Sequence, residues 1–212
     1  MIQAFEFSPF LENTYVIADD TTRDAVIIDP GCYEQAEKEA LSQFIDSHQL
    51  TVTAILLTHA HLDHVFGLAY LKRKYGVKAY LHPLDQVIFD DVASRCQLYG
   101  LRAYEPSSID APLHEGDTFR VGNLVFDIVF VPGHAPGHVA FINHADRYVV
   151  GGDVLFKGSV GRTDLPFGDQ ATLFNSIRTQ LYTLPDDYVV YPGHNEPTTI
   201  GQEKRTNPFV RA

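Results

Sequence analysis

A chain of 212 residues with 45% hydrophobic content can bury one sizeable core, and at the usual ~100–200 residues per domain it reads as a single domain over residues 1–212. Its formal net charge of −11 is the reverse of the footprint of a protein that neutralises phosphates, so nucleic acid is not the expected partner. No run approaches the ~20 apolar residues of a membrane helix, and the opening MIQAFEFSPF lacks the basic-then-apolar order of a signal peptide. The expected compartment is the cytoplasm, with no membrane partner.

The first third alternates β-branched or aromatic runs with turn signals: IQAFEF, NTYVIA and AVIIDPG read as strands that begin a sheet. Residues 34–48 place Ala36, Ala40, Leu41, Phe44 and Ile45 at helical spacing, which predicts an amphipathic helix. TAILL at 53–57 is a buried strand that delivers the chain into THAHLDH, residues 58–64. VFGLAYLKRKYG then suits a helix ended by Gly76, and VKAYLH a strand. Residues 84–104 read as helical and then irregular, with Pro106 and Pro112 marking a loop. The second half predicts strands around 118–121, 124–131, 139–143 and 147–151, a helix near 171–182 and a strand at 188–191. Two cysteines, Cys32 and Cys96, are too few for a disulfide framework and read as packing thiols.

The chemistry is concentrated in His59-x-His61-x-Asp63-His64, directly after the predicted buried strand. His59 and His61 can point one way while Asp63 and His64 turn toward a neighbouring position, an arrangement that serves two adjacent metal ions. Imidazole and carboxylate suit zinc, iron or manganese. Three more groups sit where a strand gives way to a loop: His134 in VPGHAPGH, Asp153 in VVGGD and His194 in VVYPGH. Pro-Gly forces a turn that presents the next side chain at the sheet edge. A lone histidine after Pro-Gly is ordinarily a surface turn residue, but two histidines and an Asp-His pair within six residues have little packing rationale.

These residues resemble the metallo-β-lactamase superfamily, from the IDPG turn at 28–31 to His194. The segments GDVLFKGSVGRTDLPFGD at 152–169 and YPGHNEPTTIGQEKRTNPF at 191–209 are most similar to the hydroxyacylglutathione hydrolase, or glyoxalase II, branch, in its short bacterial form without the C-terminal helical domain. The resemblance implies an α+β fold, the αβ/βα four-layer sandwich. It implies two divalent metals, zinc first, with His59, His61 and His134 on one, Asp63, His64 and His194 on the other, and Asp153 between them. It implies hydrolysis of a glutathione thioester, S-D-lactoylglutathione to D-lactate and glutathione, by a metal-bridging hydroxide that Asp63 also orients. Glutathione carries carboxylates, so a cationic site is expected: Arg162 first, where the branch places a basic substrate-binding residue, then Lys157, Lys204 and Arg205. His138 is expected to support the ligands rather than join them, and His48, His82, His114 and His144 lack ligand spacing.

Two departures narrow the resemblance. The diiron flavoproteins of the superfamily carry glutamate where this chain has His61, and the best-known β-lactamases place a different ligand at the position of Asp153. Alternatives are a mononuclear-iron persulfide dioxygenase using His59, His134 and Asp153, a lactonase or other ester hydrolase, and a non-catalytic metal-binding module.

Overall fold

The structure, a computed structural model, describes residues 1–211. The chain divides into two compact units, Met1–Leu113 with Arg120–Leu124, and His114–Phe119 with Val125 onward.

In the first unit β1 (Ile2–Phe7), β2 (Glu12–Ala18) and β3 (Asp24–Ile28) pair antiparallel as the alternating pattern predicts. Helix α1 (Gln35–Ser47) comes next, then β4 (Thr51–Leu56), α2 (Leu68–Tyr75), β5 (Lys78–Leu81), α3 (Gln86–Leu98) and the two-residue β6 (Ala111–Pro112). The six strands lie in the order β1-β2-β3-β4-β5-β6, and β3, β4, β5 and β6 are mutually parallel. β3, β4 and β5 therefore end at the same edge, and the residues after each come together there. Val26, Ile27, Ile28, Ile55 and Leu56 are fully buried, the continuous apolar run that a strand covered on both faces requires.

Three sequence expectations are corrected. The buried face of α1 is Lys38, Leu41, Ser42 and Ile45, whereas Ala36 and Ala40 are exposed. Lys38 can occupy a core stripe because its stem packs while its ammonium lies 6.0 Å from the Tyr70 ring centroid. The helix expected from Val65 begins at Leu68, because Leu62–His64 form a separate 3-10 turn that carries the Asp-His pair. Pro112, expected in a loop, pairs with Leu81 on the sheet edge, where its missing N–H costs nothing.

The second half of the chain supplies β7 (Thr118–Val121), β8 (Leu124–Phe130), β9 (Val139–Asn143), β10 (Tyr148–Gly152), the hairpin β11 (Leu155–Phe156) and β12 (Ser159–Val160), α4 (Gln170–Ser176), β13 (Val189–Pro192), β14 (Thr198–Thr199) and α5 (Ile200–Thr206). Its six-stranded sheet runs β14-β13-β10-β9-β8-β7. β9 is antiparallel to both β8 and β10, and β10 is parallel to β13, so β8, β10 and β13 share one direction. Leu173 of α4, with Ile177 and Leu181 in the wide helical turn that prolongs it, packs into a core with Ala140, Val149 and Val190.

Neither α5 nor the β11–β12 hairpin was expected from the sequence. Glu203 of α5 ties the two together: fully buried, it accepts from Thr198 Oγ1 at 2.5 Å, Gly158 N at 2.9 Å and Asn207 Nδ2 at 2.9 Å. Three donors on one carboxylate offset the cost of burying it. Among the described residues no helix is long and apolar enough to cross a membrane.

Candidate metal centre

In the first unit, β4 releases the chain into Thr58 and the ligand-rich segment. Asp29, directly after the neighbouring strand β3, accepts from Thr58 N at 2.7 Å and from Thr58 Oγ1 at 2.6 Å. Because that hydroxyl gives its proton to Asp29, its lone pairs face His59 Nδ1 at 3.0 Å, which makes Nδ1 the protonated nitrogen of His59 and leaves Nε2 to present a lone pair. His64 Nδ1 lies 3.1 Å from Asp29 Oδ2, so the same carboxylate also stands against a second imidazole. Asp29 thereby braces His59 through Thr58 and stands beside His64. One Asp29 oxygen lies within 4.8 Å of ring nitrogens of His59 and His64, while both of its oxygens accept from Thr58.

The rings of His59 and His61 meet edge to face with centroids 4.7 Å apart, and His59 and His64 are 4.1 Å apart. Asp63 Oδ2 lies 4.0 Å from His64 Nε2. All four expected ligands of this unit are thus at one place, and His59 and His64 are fully buried. Glu12, at the start of β2, approaches His64 Nδ1 to 3.9 Å and accepts from Thr14 Oγ1 at 2.9 Å. Complete burial pushes its carboxyl well above the usual carboxylate range.

The second unit repeats the device. His134, Asp153 and His194 come after β8, β10 and β13, the three strands of common direction. Asp153 Oδ2 is 3.5 Å from Nε2 of His134 and 3.5 Å from Nε2 of His194. His134 Nδ1 lies 2.7 Å from the Arg162 carbonyl oxygen; a carbonyl only accepts, so Nδ1 carries the proton and Nε2 faces Asp153 as a donor atom for a cation. Gly161 makes this possible, since a Cβ there would lie 1.9 Å from the Asp153 carbonyl oxygen. His138, expected as a support, accepts through Nε2 from the Asp153 backbone N at 3.1 Å.

Buried imidazoles whose Nδ1 protons are engaged, set beside carboxylates, form a donor set that fits divalent zinc, iron or manganese.

Each expected substrate-binding cation has a carboxylate partner. Arg162 donates to Asp164 through Nε at 2.8 Å and Nη2 at 2.7 Å, and the guanidinium holds the Asp164 carboxyl down to about 2. Lys157 meets Glu196 at 2.7 Å. Lys204 donates to the Leu184 carbonyl at 2.8 Å and to Asp186 at 3.0 Å, and Arg205 reaches Asp186 at 3.2 Å. Of the histidines without ligand spacing, His82 caps the turn before α3 and His144 bridges Tyr188 and Asp127 on the surface.

The family model of the metallo-beta-lactamase superfamily matches residues 8–194. The chain belongs to that superfamily. It has the metallo-beta-lactamase fold, and the superfamily is one of metallohydrolases that bind divalent metals. A relative from Haemophilus influenzae, "Hydroxyacylglutathione hydrolase GloC", is 41% identical over all of this chain and 98% of its own length. Among solved structures, the B3 metallo-beta-lactamase BLEG-1 is similar over 100% of both chains, with TM-score 0.90 and 36% identity. TTHA1623 in a di-iron-bound form is similar over 98% of this chain and 100% of its own, with TM-score 0.86 and 40% identity. ETHE1 from Myxococcus xanthus is similar over 98% of this chain and 83% of its own, with TM-score 0.80 and 30% identity.

Proposed function

We propose that this metallo-beta-lactamase superfamily member is a dinuclear thioester hydrolase that splits S-D-lactoylglutathione into D-lactate and glutathione. The observation that carries the reading is Asp153 Oδ2, placed 3.5 Å from the Nε2 atoms of two histidines whose loops extend from different strands. That is the position a carboxylate takes when it serves two cations at once. Full-length similarity to the Haemophilus protein named a hydroxyacylglutathione hydrolase supports the choice of substrate.

In this reading His59, His61 and His134 would hold one ion and Asp63, His64 and His194 the other, with Asp153 contributing its carboxylate to both. Bound divalent ions, zinc first, supply Lewis acidity and lower the pKa of water from 15.7 toward ~7. The chain's own part is orientation. Asp29 and the Arg162 carbonyl fix the imidazole tautomers, and Asp63, beside His64, accepts a hydrogen bond from the attacking water. That water adds to the thioester carbonyl carbon while giving up a proton; collapse of the tetrahedral adduct then breaks the carbon–sulfur bond, and the departing thiolate takes up a proton to leave the acid and the thiol.

Arg162 is the binding residue for a substrate carboxylate, with Lys157, Lys204 and Arg205 as further candidates. Because Asp164 already occupies its fork, an incoming carboxylate shares or displaces that partner. Arg162→Ala is therefore expected to raise KM for a glutathione thioester about tenfold while changing KM for a small neutral thioester little. Equal changes for both substrates would remove Arg162 from the substrate site.

The similarity to ETHE1 favours a second reading, a mononuclear-iron persulfide dioxygenase employing His59, His134 and Asp153. Metal stoichiometry on the purified chain, with turnover of S-D-lactoylglutathione, separates the two. Two metals per chain and hydrolysis are expected; one iron, with oxygen uptake on glutathione persulfide, would replace the hydrolase with the dioxygenase.

A further inference from the structure

The ligand segment leaves β4, and β4 lies between β3 and β5 in the sheet. On the β3 side Asp29 accepts from Thr58 N at 2.7 Å. On the β5 side stands a second buried carboxylate with no place in the expected ligand set. Residues 82–85 are His-Pro-Leu-Asp. The helical turn Pro83–Asp85 begins immediately after β5, started by Pro83 and capped by His82, whose Nδ1 accepts from Leu84 N at 3.3 Å. This turn delivers Asp85, which is fully buried, to the Ala60 amide: Ala60 N donates to Asp85 Oδ2 at 2.6 Å.

Ala60 is the residue between His59 and His61, and it too is fully buried. A hydrogen bond to its N–H fixes the plane of the peptide joining residues 59 and 60, and so the direction in which each flanking imidazole leaves the backbone. Burying a carboxylate costs several kcal/mol unless it is well satisfied, and a single exposed turn would not require one. A carboxylate here holds a backbone amide with a shorter, stronger bond than a neutral acceptor makes. The two carboxylates grip the exit of β4 from both sides, one at Thr58 and one at Ala60.

We propose that Asp85 is a positioning residue for metal binding: by anchoring the Ala60 amide from the end of β5 it sets how His59 and His61 face one another, and thereby metal affinity, without touching the metal. This rests on the proposed metal-binding role of those histidines. The supporting partners of metal ligands typically govern affinity by ~10–100-fold.

The test is a Co(II) titration of metal-depleted chain, monitored through the visible d–d bands of the ion, beside thermal unfolding of the metal-free proteins. Asp85→Ala should weaken Co(II) binding by about tenfold or more and change the band pattern. Asp85→Asn, which keeps an acceptor of the same shape, should stay within about threefold of the wild type, because the Ala60 bond survives the loss of charge. Wild-type affinity and bands in Asp85→Ala would overturn the proposal, as would Asp85→Asn failing as badly as alanine. Should Asp85→Ala not fold, Asp85→Glu, which keeps the charge but displaces the acceptor by one methylene, takes its place with the same expectation and the same overturning result. A wild-type chain that took up no Co(II) would overturn the metal reading, and this inference with it.

Discussion

Asp153→Ala is expected to strip the chain of metal and to lower kcat/KM for S-D-lactoylglutathione by about 10²–10³-fold or more. The reason is position. Asp153 sits at the end of β10, between the ends of β8 and β13 in strand direction, and its Oδ2 is equidistant at 3.5 Å from Nε2 of His134 and of His194. Removing it leaves two imidazoles with no anionic partner between them to share a cation, so both metal positions suffer together. Elemental analysis after dialysis and a thioester assay check this. Near wild-type metal content and turnover would end the role proposed for Asp153. A metal-free unfolding curve close to that of the wild type would show that the loss is local.

Gly133→Ala should be the more damaging change to stability, costing about 3–5 kcal/mol from backbone strain and overpacking together. Gly133 has φ +129°, which a side-chain-bearing residue rarely adopts, and a Cβ on it would fall 2.2 Å from the Leu173 N and 2.4 Å from the Leu173 Cα. Neither atom can swing aside, because both belong to the backbone of α4. Leu173 is fully buried among Ile177, Leu181 and Val190, and the Gly133 carbonyl accepts from Asp169 N at 2.7 Å at the start of the same helix. Accommodating one methyl therefore means moving α4 or moving the loop that carries His134. Urea unfolding of the two proteins measures the cost, and a difference below about 1 kcal/mol would show that the loop yields more readily than this geometry allows. The same substitution should weaken metal retention, since His134 is the next residue.

How far the sequence revealed all this depends on distance along the chain. His59, His61, Asp63 and His64 were legible because ligand chemistry packed into six residues has no competing explanation. His134, Asp153 and His194 were legible through the glycines that turn the chain before them. What positions the first four was not legible. Asp29 and Asp85 each meet the ligand segment from 25 or more residues away, and nothing about an aspartate in IDPG or in HPLD distinguishes it from a turn residue. The Arg162–Asp164 fork was written openly in GRTD, yet the arginine attracted notice for its charge rather than for the neighbour that occupies it. Lys38 defeated periodicity because a long amphipathic side chain can lie in a buried stripe, and α5 was missed because its seven residues carry too few apolar positions to register a period.

The common direction of β3, β4 and β5, and of β8, β10 and β13, has a consequence for how such a protein diversifies. Every group assigned to the chemistry stands on a connection that begins where a strand stops, while the strands themselves are held by apolar pairing indifferent to the composition of those connections. Exchanges in connections that make no bracing contact with the ligands would alter the surroundings of the site and leave the sheets' registers untouched. Selection can thus act on substrate preference and on foldability through largely separate sets of positions.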